Sequence, residues 1–118
     1  MVTILSMNQV PKIVIASEEK ISIRSMQDAN DILGAVYGAD GLLLTENELA
    51  PEFFDLSTGI AGEFFQKFTN YQIRVGIVLE HPEAYGQRFN ELILEHRRHN
   101  LIRFFDSVEA ARTWLENA

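Results

Sequence analysis

Ile73 to Leu79, I-R-V-G-I-V-L, constrains this chain more than any other stretch. Ile73, Val75, Gly76, Ile77, Val78 and Leu79 leave neither face of an extended strand to water. That is the pattern of a central strand in a parallel sheet covered on both sides. The residues before it set up its partner helix. Ile60, Ala61, Phe64, Phe65 and Phe68 recur at three- and four-residue spacing and define one helical face. Asp55, Ser57 and Thr58 are short side-chain acceptors suited to a helix N-cap, and Asn70 tolerates the left-handed turn just past a helix end. Pro51 to Leu79 therefore reads as loop, capped helix and buried strand.

The rest of the chain repeats this alternation. Thr3 to Met7 and Lys12 to Ala16 read as a hairpin turning near Asn8 and Gln9, with Pro11 marking an edge. Ile21 and Ile23 alternate briefly. Ser25 should cap a helix with Met26, Ala29, Ile32, Leu33, Val36 and Tyr37 inward, stopped by Gly38 and Gly41 around Asp40. Leu42 to Leu44 form a second buried strand, and Thr45 to Ala50 a polar loop whose end Pro51 holds extended. A third helix after His81-Pro82 carries Tyr85, Phe89, Leu92, Ile93 and His96 on one face. Leu101 to Phe105 is a strand. Asp106, with Glu109 three positions on, should cap a last helix docked through Val108, Ala111, Trp114 and Leu115.

The order β-β-α-β-α-β-α-β-α predicts an α/β fold, a mostly parallel sheet with an N-terminal β-hairpin and about four helices. The 118 residues suffice for one core, so residues 1–118 are expected to form a single domain. No apolar run is long enough to cross a membrane, and no basic-plus-apolar signal segment opens the sequence. The absence of cysteine excludes disulfides and thiolate chemistry and suits a cytoplasmic protein. A formal charge of −7 opposes phosphate backbones and anionic lipid, so neither nucleic acid nor membrane is expected as a partner.

Sites in parallel sheets gather where strands end and helices begin. The loop and first helical turns at Asp55, Ser57, Thr58, Gly59, Gly62 and Glu63 occupy such a place and form the candidate partner-binding or switch site. Ser57 and Thr58 suit three roles: helix caps, hydroxyls open to phosphorylation, or a backbone cradle for an anion. The last lacks a P-loop lysine and sits in an acidic domain. Gly59 and Gly62 cost helix stability, which close packing on the sheet or a flat patch for a partner would explain. His96 and His99 have helical spacing but no third ligand at convincing distance, and basic residues suit a helix C-terminus. Glu48, Glu52, Asp55 and Glu63 could supply a carboxylate pair, but acids cluster this way on any solvated surface. No nucleophile elbow, H-E-x-x-H or dinucleotide fingerprint occurs. No catalytic residue, cofactor or metal ligand is assigned.

The run Phe53 to Tyr71, F-F-D-L-S-T-G-I-A-G-E-F-F-Q-K-F-T-N-Y, resembles a bacterial family, domain of unknown function 4180, marked by F-F-D-L-x-T-G-x-A-G-E-x-x-Q-K-F-x-N-Y. The likeness extends more weakly over nearly the whole chain. It departs at Leu79-Glu80-His81-Pro82 and at His96 to Asn100, H-R-R-H-N, where the family has other loops. More distantly, the element order and D-L-S-T-G-I resemble the STAS domain of anti-sigma-factor antagonists. In that domain, phosphorylation of a hydroxyl at the start of the second helix switches partner binding. Aligned on Gly59, Thr58 and Ser57 fall on the two hydroxyl positions, and Leu56 displaces Asp55 by one. The resemblance implies a non-enzymatic regulatory or protein-binding domain docking a partner through residues 55–63, with self-association as a homodimer left open. The alternative is a small-ligand or catalytic site in the crevice at the same helix start.

Overall fold

The computed structural model describes residues 11–117. Four strands, β1 (Ile13–Ile15), β2 (Gly41–Thr45), β3 (Arg74–Val78) and β4 (Ile102–Phe105), form one sheet in the order 1-2-3-4, every pair parallel. The register sets Ile13 beside Gly41, Gly41 beside Arg74 and Val75 beside Ile102. Five helices accompany it: α1 (Met26–Ala35), α2 (Pro51–Phe54), α3 (Ile60–Asn70), α4 (Gly86–Glu95) and α5 (Val108–Glu116). The α/β architecture expected from the alternation is present. Thr3 to Met7, Asn8 and Gln9, the first half of the expected hairpin, lie outside the described residues.

Strand order decides the layers. Three right-handed crossovers in one direction put α1, α3 and α4 on the same face. Leu42, Leu44, Val75, Ile77 and Ile102 point to that face and pack with Ala29, Ile32, Phe64, Phe68 and Phe89. The alternate residues Leu43 and Val78 face the opposite side, where α5 lays Ala111 and Leu115. Only a close approach lets α5 cover that side. A β-carbon at Gly76 would stand 3.3 Å from Ala111 Cβ, and one at Gly41 would stand 2.9 Å from Leu115 Cδ2. The close packing that was one of two explanations for Gly59 and Gly62 is found instead at Gly41 and Gly76. Gly41, read as a helix stop, opens β2 instead.

Several boundaries shift for local reasons. Ser25 caps α1 as expected, its Oγ accepting from Asp28 N at 3.3 Å. The helix closes at Val36, so Tyr37 lies beyond the last turn and is 81% exposed, and Met26 at the first turn is 39% exposed. Neither belongs to the inner face. Asn70 is the last residue of α3, and the left-handed residue is Gln72 (φ 56°). Gln72 N donates to Thr69 O and Ile73 N to Phe68 O, a Schellman closure whose left-handed residue stands two positions beyond the expected Asn70. Ser107, not Asp106, caps α5 by accepting from Ala110 N at 3.1 Å. Val108 stays exposed.

Candidate functional site

All three β-to-helix loops after β2, β3 and β4 meet at the carboxyl rim of the sheet, and the segment Thr45 to Glu63 occupies most of it. Thr45 ends β2 and caps a short 3-10 turn, Glu46–Glu48. Glu48 Oε1 accepts from Thr45 N at 2.7 Å, which satisfies a carboxylate that is otherwise buried. Thr45 to Glu48, T-E-N-E, has the spacing of a capping box, so this part of the expected polar loop is a capped turn. Ala50 is extended before Pro51, as expected, but the proline then opens α2 at its first position. Phe53 anchors α2 in the core with Phe64, Phe65 and Phe89 around it.

The short α2 delivers Asp55 to the surface. Asp55 Oδ1 accepts from Ser57 N at 3.0 Å and from Ser57 Oγ at 2.6 Å, capping a second 3-10 turn, Leu56–Thr58. The Ser57 hydroxyl, then the Ser57 N–H, hold the Asp55 carboxyl below the usual carboxylate range. Thr58 Oγ1 lies 2.8 Å from both Glu52 O and Asp55 O, one of which takes its proton, and accepts from Ile60 N at 3.3 Å. Gly59 occupies the N-cap of α3 with no side-chain bond to offer, at φ 80°. Caps were expected from Asp55, Ser57 and Thr58. Asp55 instead caps the preceding turn, and Thr58 supplies the one side-chain bond at the start of α3.

Asp55, Ser57, Thr58, Gly59 and Gly62 are exposed, and Glu63 is half-buried and paired with Lys67 at 3.2 Å along the helix. A β-carbon at Gly62 would meet nothing within 4 Å. A β-carbon at Gly59 would stand 3.6 Å from Met26 Cε, so the exposed methionine of α1 borders the same surface. These residues make an open, exposed patch, and Met26 is the part of it that sequence periodicity assigned to the core.

On the other side of Asp55 lies a cleft of about 570 Å³ lined by Glu46, Leu49, Pro51, Phe54, Asp55, Ala84 and Tyr85. Phe54 and Tyr85 stack at 3.7 Å and 9°. Tyr85 donates its hydroxyl to Glu46 Oε1, and Glu80 N donates to Glu46 Oε2 at 3.0 Å. Tyr85's bond holds the Glu46 carboxyl low, while burial and then Glu46 push the Tyr85 phenol up to about 12. The sequence placed Tyr85 on a helix face. It stands instead in the 3-10 turn Pro82–Tyr85 that precedes α4. Across that turn a smaller apolar hollow of about 350 Å³ opens between Leu79, Pro82, Ile93, Phe104, Phe105 and Asp106. Ser57 and Thr58 are in the walls of neither.

His96 and His99 lie at the opposite rim. His99 Nδ1 accepts from Leu101 N and Ile102 N, both at 3.0 Å, and His96 Nδ1 is 2.9 Å from Leu92 O. Burial first, then His96 and Arg103, hold His99 below the usual imidazole range. The His99 ring closes the turn into β4, and the His96 ring bonds back to its own helix. Among the described residues no three His, Cys, Asp or Glu side chains gather as a metal site, and no helix is long and apolar enough to cross a membrane.

A parallel α/β domain with a capped, exposed loop leading into its central helix is the class these features define. The chain belongs to the family Domain of unknown function (DUF4180), whose model matches residues 8–115. No curated protein and no solved structure matches it.

Proposed function

We propose that this domain is a non-enzymatic, STAS-like regulatory module that docks a protein partner through the loop and helix start at residues 55–63. One observation carries the proposal. Gly62 is a helical glycine that neither backbone conformation nor packing requires, and it lies on an open patch beside Met26. Gly59 and Gly62 leave the backbone approachable, and an exposed methionine adapts its shape to what it touches. The proposal includes a switch at Ser57. Thr58's hydroxyl ties α2 to α3, whereas Ser57's hydroxyl bonds only to an exposed carboxylate. A kinase transferring the terminal phosphoryl group of ATP to Ser57 Oγ would replace that O–H. The phosphate places about −1.5 to −2 charges against ionised Asp55, so the turn must rearrange. The setting of the proposal is a bacterial cytoplasm, a compartment with which the cysteine-free composition agrees.

Photo-cross-linking tests the docking face. A photoreactive residue at Ser57 should cross-link a partner in the protein's own cells, whereas one at exposed Tyr71, beyond the far end of α3, should not. Cross-links from Tyr71 alone would place the interface elsewhere. Intact mass of the native protein, with an added phosphate absent from Ser57→Ala, tests the switch.

A further inference from the structure

Glu46, Glu52, Asp55, Glu80, Glu83 and Asp106 lie at the carboxyl rim, where they outnumber Lys20, Arg24 and Arg88. The cleft beside Asp55 is the concave part of the acidic end, and its walls are mainly apolar: Leu49, Pro51, Phe54, Ala84 and Tyr85. Two carboxylates complete it. Among the described residues, neither Glu46 nor Asp55 has a lysine or arginine nitrogen within ion-pair distance, and Arg88 acts on Asp55 only from beyond it. Asp55 Oδ1 takes both bonds from Ser57, and Oδ2 takes none. Each Glu46 oxygen accepts one bond and retains a further lone pair.

We infer that this cleft receives an arginine side chain of the docked protein. The inference rests on the docking proposal and adds the chemistry of the partner. A guanidinium is planar, always charged and weakly hydrated, so it fits an aromatic-walled cleft better than a compact, strongly hydrated ammonium does. Its five N–H donors match carboxylates that are already oriented by Tyr85, Glu80 and Ser57. The stacked Phe54–Tyr85 pair gives the cleft an aromatic wall against which the apolar stem of an arginine can pack. Asp55 belongs to both features, so an arginine anchored here brings the rest of the partner over Ser57 and Gly59.

Isotope-labelled protein titrated with the peptide acetyl-Gly-Arg-Gly-amide, and with its neutral citrulline isostere, tests this by amide chemical shifts. The arginine peptide should give saturable shifts at Phe54, Asp55, Ala84 and Tyr85. Affinity should fall about tenfold with citrulline, and similarly in Glu46→Gln, as expected for losing a charge-assisted bond. Asp55→Asn changes an exposed residue and serves if Glu46→Gln disturbs the fold. Equal shifts with citrulline, shifts spread without saturation over all the acidic loops, or unchanged binding in a folded variant would overturn the inference. Gly62→Arg leaves the cleft walls intact, so loss of partner binding in that variant without arginine-peptide binding removes the cleft alone.

Discussion

Alanine at Gly62 should stabilise the protein, and alanine at Gly59 should do the opposite. Gly62 is the third residue of α3, its φ is outside the left-handed region, and a β-carbon there has open space. Alanine outranks glycine by roughly 0.8–1 kcal/mol in a helix interior, and a first-turn position should return about 0.5–1 kcal/mol. Gly59 sits at φ 80°. A side chain in that conformation costs roughly 1–2 kcal/mol. The 3.6 Å contact with Met26 is ordinary, so strain rather than collision sets the loss. Urea titrations should show the midpoint rising for Gly62→Ala and falling for Gly59→Ala at unchanged slope. A loss of 1 kcal/mol or more for Gly62→Ala would refute the reasoning, because it would show that the fold itself needs glycine there.

Phe64 and Phe68 are fully buried, with ring centroids 4.4 Å apart. Either one changed to alanine should cost roughly 3–5 kcal/mol in denaturant titration, and a loss below about 1 kcal/mol would remove them from the core. His99 favours its neutral form in the native state, so as pH falls below its ordinary value of 6.5 the unfolded chain binds the proton first. Its contribution is therefore present above pH 6.5 and lost as pH falls through the lower folded value. His99→Asn, which can still accept from the Leu101 and Ile102 N–H groups, should flatten stability against pH in that window. Tyr85 should ionise near 12 by ultraviolet titration, and Glu46→Gln should bring it down only part of the way toward 10, because burial is the larger cause. An unchanged midpoint in that variant would deny the Glu46 contact.

Period and punctuation made most of the fold legible. Strands β2 and β3 are buried on both faces because the crossover helices cover one side and α5 the other, and the sequence says so through Leu42 to Leu44 and Val75 to Leu79. The errors fall where two readings of one residue compete. Met26 and Tyr37 continue the apolar period of α1, but one stands at its first turn and the other beyond its end. Asp106 and Ser107 are both capable caps, and the chain uses the one whose Oγ reaches Ala110 N. The candidate site was legible as a surface segment, since Asp55, Ser57 and Thr58 are polar residues just before an apolar helix. Its neighbours were not. Glu46 and Phe54 come from the connection after β2 and Tyr85 from the one after β3, and pairings between connections leave no period in a sequence.

The claim that a protein sits on the face around Ser57, Gly59 and Gly62 has a matched control within the molecule. Gly34 is also helical and exposed, and a β-carbon there also meets nothing within 4 Å, but it lies at the far end of α1. Wild type, Gly62→Arg and Gly34→Arg, each shown to be folded by thermal melting, can be immobilised and compared by quantitative capture of a cross-linked partner. Wild type and Gly34→Arg should retain that partner equally, and Gly62→Arg should bind about tenfold or more weakly, as expected for blocking the centre of an interface. Equal retention by Gly62→Arg would contradict the assignment of this face.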